Sequence, residues 1–148
     1  MAEFEASVVI DRPVEEVWKF VTDLSNASEV FPNTVDMKQT SPGPLGSGAT
    51  LTHKFLKRTI TGRVAEYEPN RKLVTQATSG PIRGSREIIR LESVDGKTRL
   101  TYTGHMEGSG LYKLIGPFIM GRIVREGQAG SELKVNNVKR ILESQSHA

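Results

Sequence analysis

The chain opens with strict alternation. In EFEASVVID, residues 3–11, Phe4, Ala6, Val8 and Ile10 share one face, which predicts a half-buried strand. The period then changes to that of a helix in RPVEEVWKFVTDL. Pro13 suits the first turn, Glu15 and Glu16 sit where the helix dipole favours acids, and Val14, Val17, Trp18, Val21 and Leu24 form the apolar stripe. SNASEVFP predicts a second short helix, capped by Ser25 or Asn26 and stopped before Pro32. From residue 34 to about 108 the period is that of strands: 34–41, ATLTHKFLK, TITGRVAEYEP, KLVTQATSG, REIIRLESV and TRLTYTGHMEG. Pro69-Asn70 and Asp95-Gly96 mark turns, and the second pair is the strongest hairpin signal in the chain. A long helix follows, from Leu111 or Leu114 to Glu143. Strands joined by hairpins imply an antiparallel sheet with helices on one face, an α+β fold, and residues 1–148 are read as a single domain.

The last helix raises a question. GPFIMGRIVREGQAGSELKVNNVKRIL contains Gly121, Gly127 and Gly130, and an interior glycine costs about 1 kcal/mol relative to alanine. At about 100° per residue, Gly127 and Gly130 fall at the centre of the apolar stripe with Ile119, Met120, Ile123, Val138 and Ile141. Gly121 falls on the opposite side with Arg125, Glu132, Lys139 and Glu143. Either a sheet residue such as Trp or Tyr packs onto the two inward glycines, or the middle of the helix roofs a cavity. With one Trp, three Tyr and five Phe, bulky fillers are few, and the cavity is the expectation taken forward.

Composition narrows the function. With 36% hydrophobic and 25% charged residues the chain is ordinary for a globular protein. The net charge of +3 is spread out rather than gathered into a stripe with interleaved aromatics, so nucleic acid is not an expected partner. No cysteine is present, which excludes disulfides and thiol chemistry. Without a signal-like start or an apolar run of membrane length, a cytoplasmic protein with no integral membrane contact is expected, as a monomer or weak dimer. Of three histidines, His53, His105 and His147, none is spaced for a metal, and no nucleotide-binding loop or nucleophile elbow occurs; neither a metal nor a cofactor is expected.

Strand parity selects the candidate chemistry. His53 shares a face with Leu51 and Phe55, Glu87 with Ile89 and Leu91, and Tyr102 with Leu100, Gly104 and Met106. His53, Glu87 and Tyr102 are the candidate acid–base residues. His105 lies on the polar parity and is expected in solvent. Tyr67 and Tyr112 sit near element ends, where a pocket mouth would be. Lys134 falls inside the apolar stripe and is read as snorkelling to the helix edge, with an amine beside a ligand or carboxylate as the sharper alternative. Asn137 is expected to bond a strand backbone. The loops at 41–49, 79–85 and 107–111 are expected to cluster at one end as a gate.

VVIDRPVEEVWKFVTDLSNASEVFP, ITGRVAEYEPNRKLVTQATSGP and GKTRLTYTGHMEG, together with the terminal helix and its small residues, resemble the START-like (SRPBCC) superfamily. Within it they are most similar to the polyketide cyclase/dehydrase and lipid-transport family, over nearly the whole chain. The resemblance implies a helix-grip fold, a curved seven-stranded antiparallel sheet around a long C-terminal helix with two short N-terminal helices and a hydrophobic pocket between. The expected function is binding of a hydrophobic or amphipathic small molecule (lipid, polyketide or aromatic) as carrier or sensor. The alternatives are a polyketide cyclase/dehydratase-type enzyme and a protein-interaction or toxin-like regulatory module. The expected lining is Leu51, His53, Phe55, Tyr67, Glu87, Ile89, Tyr102, Met106, Ile119, Met120, Ile123, Gly127 and Gly130.

Overall fold

A computed structural model describes residues 2–31, 34–55, 57–80, 82–107 and 111–145, with backbone alone for residues 2, 55, 111–113, 115–117, 119, 120 and 123. Strand β1 (Ala2–Ile10) leads into α1 (Val14–Val21), a 3₁₀ turn (Leu24–Asn26) and α2 (Ala27–Val30). Strands β2 (Thr34–Gln39), β3 (Thr50–Phe55), β4 (Arg58–Glu68), β5 (Lys72–Ala77), β6 (Arg86–Val94) and β7 (Lys97–Met106) follow, and then α3 (Leu111–Ser144). They form one seven-stranded antiparallel sheet in the order β1-β7-β6-β5-β4-β3-β2, so β1 and β2 are its free edges. This is the helix-grip architecture.

Local chemistry explains the joints. Asp95 and Gly96 both take positive φ, 51° and 79°, as a type I′ hairpin turn requires. Bulges between Val35 and Lys38 in β2 and between Val64 and Glu66 in β4 interrupt the ladders, each adding local twist and bend. Pro13 is the N-cap of α1 rather than its first helical residue. The turn after α1 is capped by Asp23, whose carboxylate accepts from the Ser25 N–H at 3.1 Å and hydroxyl at 2.6 Å. Both bonds favour the ionised form and hold the Asp23 carboxyl below its usual range. Asn26 stands at the N-cap of α2 as expected, though its side chain makes no capping bond.

The free edge of β1 dictates where α3 lies. Gln128 accepts from the Glu5 N–H at 3.2 Å and donates to the Glu5 carbonyl at 2.7 Å. Further along, Lys139 donates to the Val9 carbonyl at 2.7 Å, and Glu143 accepts from the Asp11 N–H at 2.8 Å. Buried Arg12 then donates to the carbonyls of Glu143 and Gln145, putting a cation at the negative end of the helix. The main backbone contacts of α3 are accordingly with β1, β7 and α2. Its C-terminal half closes a core of Ile10, Val17, Trp18, Leu91, Leu100, Val135, Val138 and Leu142.

Two expectations are corrected here. The centre of α3 does not stand off the sheet at Gly127: the Phe4 ring lies between Gly127 and Gly104 of β7, and a Cβ at either glycine would overlap it. The filler is a phenylalanine of the edge strand, neither a Trp nor a Tyr. Gly130 differs, since a Cβ there would meet Phe31 at 3.6 Å, an ordinary contact. The second correction concerns the loops. Strands alternate in direction, so the 41–49 connection lies at the opposite end of the sheet from the end of β5, the start of β6 and the end of β7, where the other two loops attach; residues 81 and 108–110 lie outside the described residues. The three cannot form one gate. The 41–49 segment instead brings Leu45 and Ala49 to the core.

The two glycines should therefore respond differently. Gly127→Ala is expected to destabilise the protein by about 1–3 kcal/mol through overpacking against Phe4. Gly130→Ala should be neutral or stabilise by up to about 1 kcal/mol through helix propensity. Urea denaturation of the two variants checks this, and equal midpoints would contradict the packing described.

Candidate functional site

Above the apolar core, where α3 turns away from the middle of the sheet, the concave face becomes polar. Cross-strand pairing aligns Thr75 with Glu87, Val64 with Thr75, Gly62 with Ala77, and Leu51 with Gly62. His53 is two residues beyond Leu51 on the same side. Gly62, Thr75 and Ala77 thus give a floor of small residues, with His53 on one flank and Glu87 on the other. Buried Ile60, the cross-strand partner of His53, lies on the same face beside them.

Lys134 reaches over this row from α3. Helical side chains lean toward the helix N-terminus, which carries this amine over the row of Glu87. Its Nζ donates to Glu87 Oε1 at 3.1 Å and to Tyr102 Oη at 3.1 Å. It also sits 4.8 Å from the Phe31 ring centroid and 4.6 Å from that of Tyr102, so two aromatic faces flank the charge. The Lys134 side chain is 21% exposed and that of Glu87 42%, and an ion pair this wet contributes about 1 kcal/mol or less. Its value is positional: it fixes one ammonium, one carboxylate and one phenol together on the concave face. Among the described residues, two of the three Nζ–H groups have these partners, and one is left for a ligand oxygen.

His53 belongs to the same electrostatic unit. Burial of the ring, the largest cause, pushes its pKa below 6.5; the Glu87 charge raises it and the Lys134 charge lowers it further. Imidazole is therefore neutral at pH 7, with one nitrogen able to accept a proton.

The remaining expected residues divide. Leu51 is buried in the core, Ile89 packs against it, and Tyr67 meets Trp18 edge-on at 5.4 Å, against the core rather than at a mouth. Met106 is half-buried at the end of β7. Gly130 faces Phe31, and Gly127 is filled by Phe4. The side chains of Phe55, Tyr112, Ile119, Met120 and Ile123 lie outside the described residues. His105 is half-buried rather than free in solvent, with Nδ1 3.4 Å from Glu3. Asn137 donates to the Val30 carbonyl of α2 at 2.8 Å, not to a strand. Lys134 follows its sharper alternative, an amine on a carboxylate. Phe31 escaped sequence reasoning altogether, because its only signal was to stand last before the helix-stopping Pro32.

With the geometry in hand, relatives can be placed. Residues 1–143 match the family described as polyketide cyclase / dehydrase and lipid transport, and the chain belongs to that family. TTHA0849 from Thermus thermophilus superposes with a TM-score of 0.78 at 14% identity, over 97% of this chain and 99% of that one. The di-domain ARO/CYC BexL from the BE-7585A biosynthetic pathway gives 0.75 at 18%, over 97% of this chain and 47% of BexL. The Polyketide_cyc-like protein Cgl2372 from Corynebacterium glutamicum gives 0.64 at 24%, over 95% and 91%. At these identities the likeness is one of fold. No curated protein matches the chain by sequence. Among the described residues, no helix is long and apolar enough to cross a membrane.

The electrostatic unit makes a signed prediction. By NMR titration His53 should have a midpoint below 6.5; Glu87→Gln should lower it further and Lys134→Met should raise it. Because the folded value is depressed, His53 takes stability away as pH falls from 6.5 through its folded midpoint, and His53→Gln should reduce that loss. A midpoint at or above 6.5, or shifts of opposite sign, would contradict the arrangement.

Proposed function

We propose that this protein binds an amphipathic, oxygenated small molecule in a groove between α3 and strands β3–β6, as a carrier or sensor. The observation that carries this reading is the Lys134–Glu87–Tyr102 cluster, with His53 electrostatically coupled to it across the small residues Gly62, Thr75 and Ala77. Family membership supports it.

The cluster also argues for one kind of polar group. The Lys134 charge is already matched by Glu87, so a carboxylate ligand would have to displace a neighbour of its own sign. A neutral ligand carrying a carbonyl and a hydroxyl meets no such conflict: the carbonyl accepts from Nζ, and the hydroxyl donates to Glu87 or to neutral His53. A hydroxylated aromatic ketone has this chemistry, with a hydrophobic body to cover the groove.

A second reading, a cyclase- or dehydratase-type enzyme, is favoured by one specific feature. His53 is a base pushed toward its neutral form, facing a carboxylate, a phenol and an ammonium across the small residues and close enough to feel the Glu87 and Lys134 charges. The fold of the ARO/CYC protein BexL is compatible with it.

Titration with a dihydroxyanthraquinone, followed by fluorescence, tests the binding reading. The wild type should bind. Lys134→Met should weaken binding about tenfold, equivalent to about 1.4 kcal/mol, while binding of unsubstituted anthracene stays the same. Absence of binding, or equal loss for both probes, would sink the proposed anchor. Turnover of a hydroxy-ketone that stops in His53→Gln while binding persists would establish the enzyme reading instead.

A further inference from the structure

A separate feature lies at the other end of α3. Gln128 stands level with Glu5, and the helix rises about 1.5 Å per residue against about 3.3 Å for the strand. It therefore passes the start of β1 near residue 121, by a rough count from those rises. The first turns of α3 extend past the start of β1, toward the level of the β3–β4 turn. Leu114, Phe118, Gly121 and Arg125 form one stripe there, spaced i, i+4, i+7 and i+11, on the side turned away from Phe4. Leu114 is 72% exposed and Phe118 88%. A Cβ at Gly121 would meet nothing within 4 Å. Large apolar side chains this exposed on one stripe signal an interaction surface.

The surroundings say what would cover it. At this end of the sheet the β3–β4 turn presents Lys57 and Arg58, and the β5–β6 loop with the first residue of β6 presents Arg83 and Arg86; all four are exposed. Exposed Arg125 continues the stripe on α3 and exposed Arg122 flanks it. Against them stand Glu107 and Glu126, the second already held by Arg122 at 3.0 Å, and Glu3, which faces His105 at 3.4 Å. The turns at the far end are balanced: Asp11, Glu68 and Asp95 accompany Arg12, Arg71 and Lys97. One end of the molecule thus combines projecting apolar side chains with a ring of uncompensated cations. An anionic lipid surface offers the matching pair, a headgroup layer for the cations and an acyl boundary for the side chains. A second copy of the chain would bring the same cations against one another.

We propose that this end of the molecule docks peripherally on anionic membranes, with Leu114 and Phe118 entering the headgroup boundary and Lys57, Arg58, Arg83 and Arg86 resting on the lipid charge. The proposal is independent of what the groove holds. Docking would set the end of the sheet that carries the β5–β6 loop and the start of α3 against the bilayer.

The test is co-sedimentation of the full chain with vesicles of phosphatidylcholine alone and of phosphatidylcholine mixed with phosphatidylglycerol. Binding to the mixed vesicles and not to the neutral ones, weakening as salt rises, is the expected result. The double variant Leu114→Asp/Phe118→Asp should lose at least about tenfold in partitioning with an unchanged circular dichroism spectrum. The chain has no cysteine, so Phe118→Cys labelled with an environment-sensitive dye gives a clean second readout, a blue shift on mixed vesicles only. Three results would overturn the proposal. They are absence of binding to mixed vesicles, unchanged partitioning of a folded double variant, and a concentration-dependent dimer in sedimentation velocity that the double variant abolishes.

Discussion

The unpaired edge of β1 is the constraint from which the rest of the structure follows. An edge strand leaves alternate N–H and C=O groups without partners, and left bare they invite another chain. Here Gln128, Lys139 and Glu143 answer those of Glu5, Val9 and Asp11, and Arg12 returns the contact at the helix C-terminus. Each bond is modest, but spaced along the helix from Gln128 to Glu143 they fix the direction and register of α3. Phe4, seated between Gly104 and Gly127, permits the close approach those bonds need. A side chain at either glycine would push the helix off the edge.

Holding the helix at the edge has a consequence for the middle of the sheet. The helix covers β1 and β7, α1 and Trp18 fill the lower concavity, and the face of β3–β6 above them sets the small residues Gly62, Thr75 and Ala77 between His53 and Ile60 on one side and Glu87 on the other. Of the α3 side chains described, Lys134 reaches across to β6. A charged residue can hold that place because carboxylate, phenol and two aromatic faces surround the ammonium in a site still open to water. The same groups then present donors and an acceptor to whatever enters the proposed groove. Charge neutrality within the cluster is the basis on which a neutral oxygenated ligand is proposed.

How much of this was legible in the sequence depended on whether the signal was local. Period and turn chemistry gave the elements: Asp95-Gly96 adopts the turn its φ requirement implies, and alternation in β6 and β7 put Glu87 and Tyr102 on one face. The helical wheel put Gly127, Gly130 and Lys134 on the inward stripe. It carried no information on what stands opposite, because Phe4 is remote in sequence and its approach is set by the β1–β7 register, which periodicity does not specify. Expecting a void at Gly127 followed from that silence. The loop at 41–49 was a different failure, since counting strand directions alone would have moved it to the other end of the sheet. The shielding of Lys134 by Phe31 depends on how α2 meets α3 through Asn137, a tertiary contact without a local signature.

The central claim is that the Lys134 cluster forms the floor of a ligand groove. It is tested most directly by side-chain NMR of the labelled protein during saturation with a dihydroxyanthraquinone. The account predicts that the Lys134 ammonium, the His53 ring and the Tyr102 ring shift together and show contacts to the bound aromatic, while Trp18 and Tyr67 beneath them stay in place. Saturation that leaves those three signals unmoved, with the probe seated elsewhere on the molecule, would contradict it.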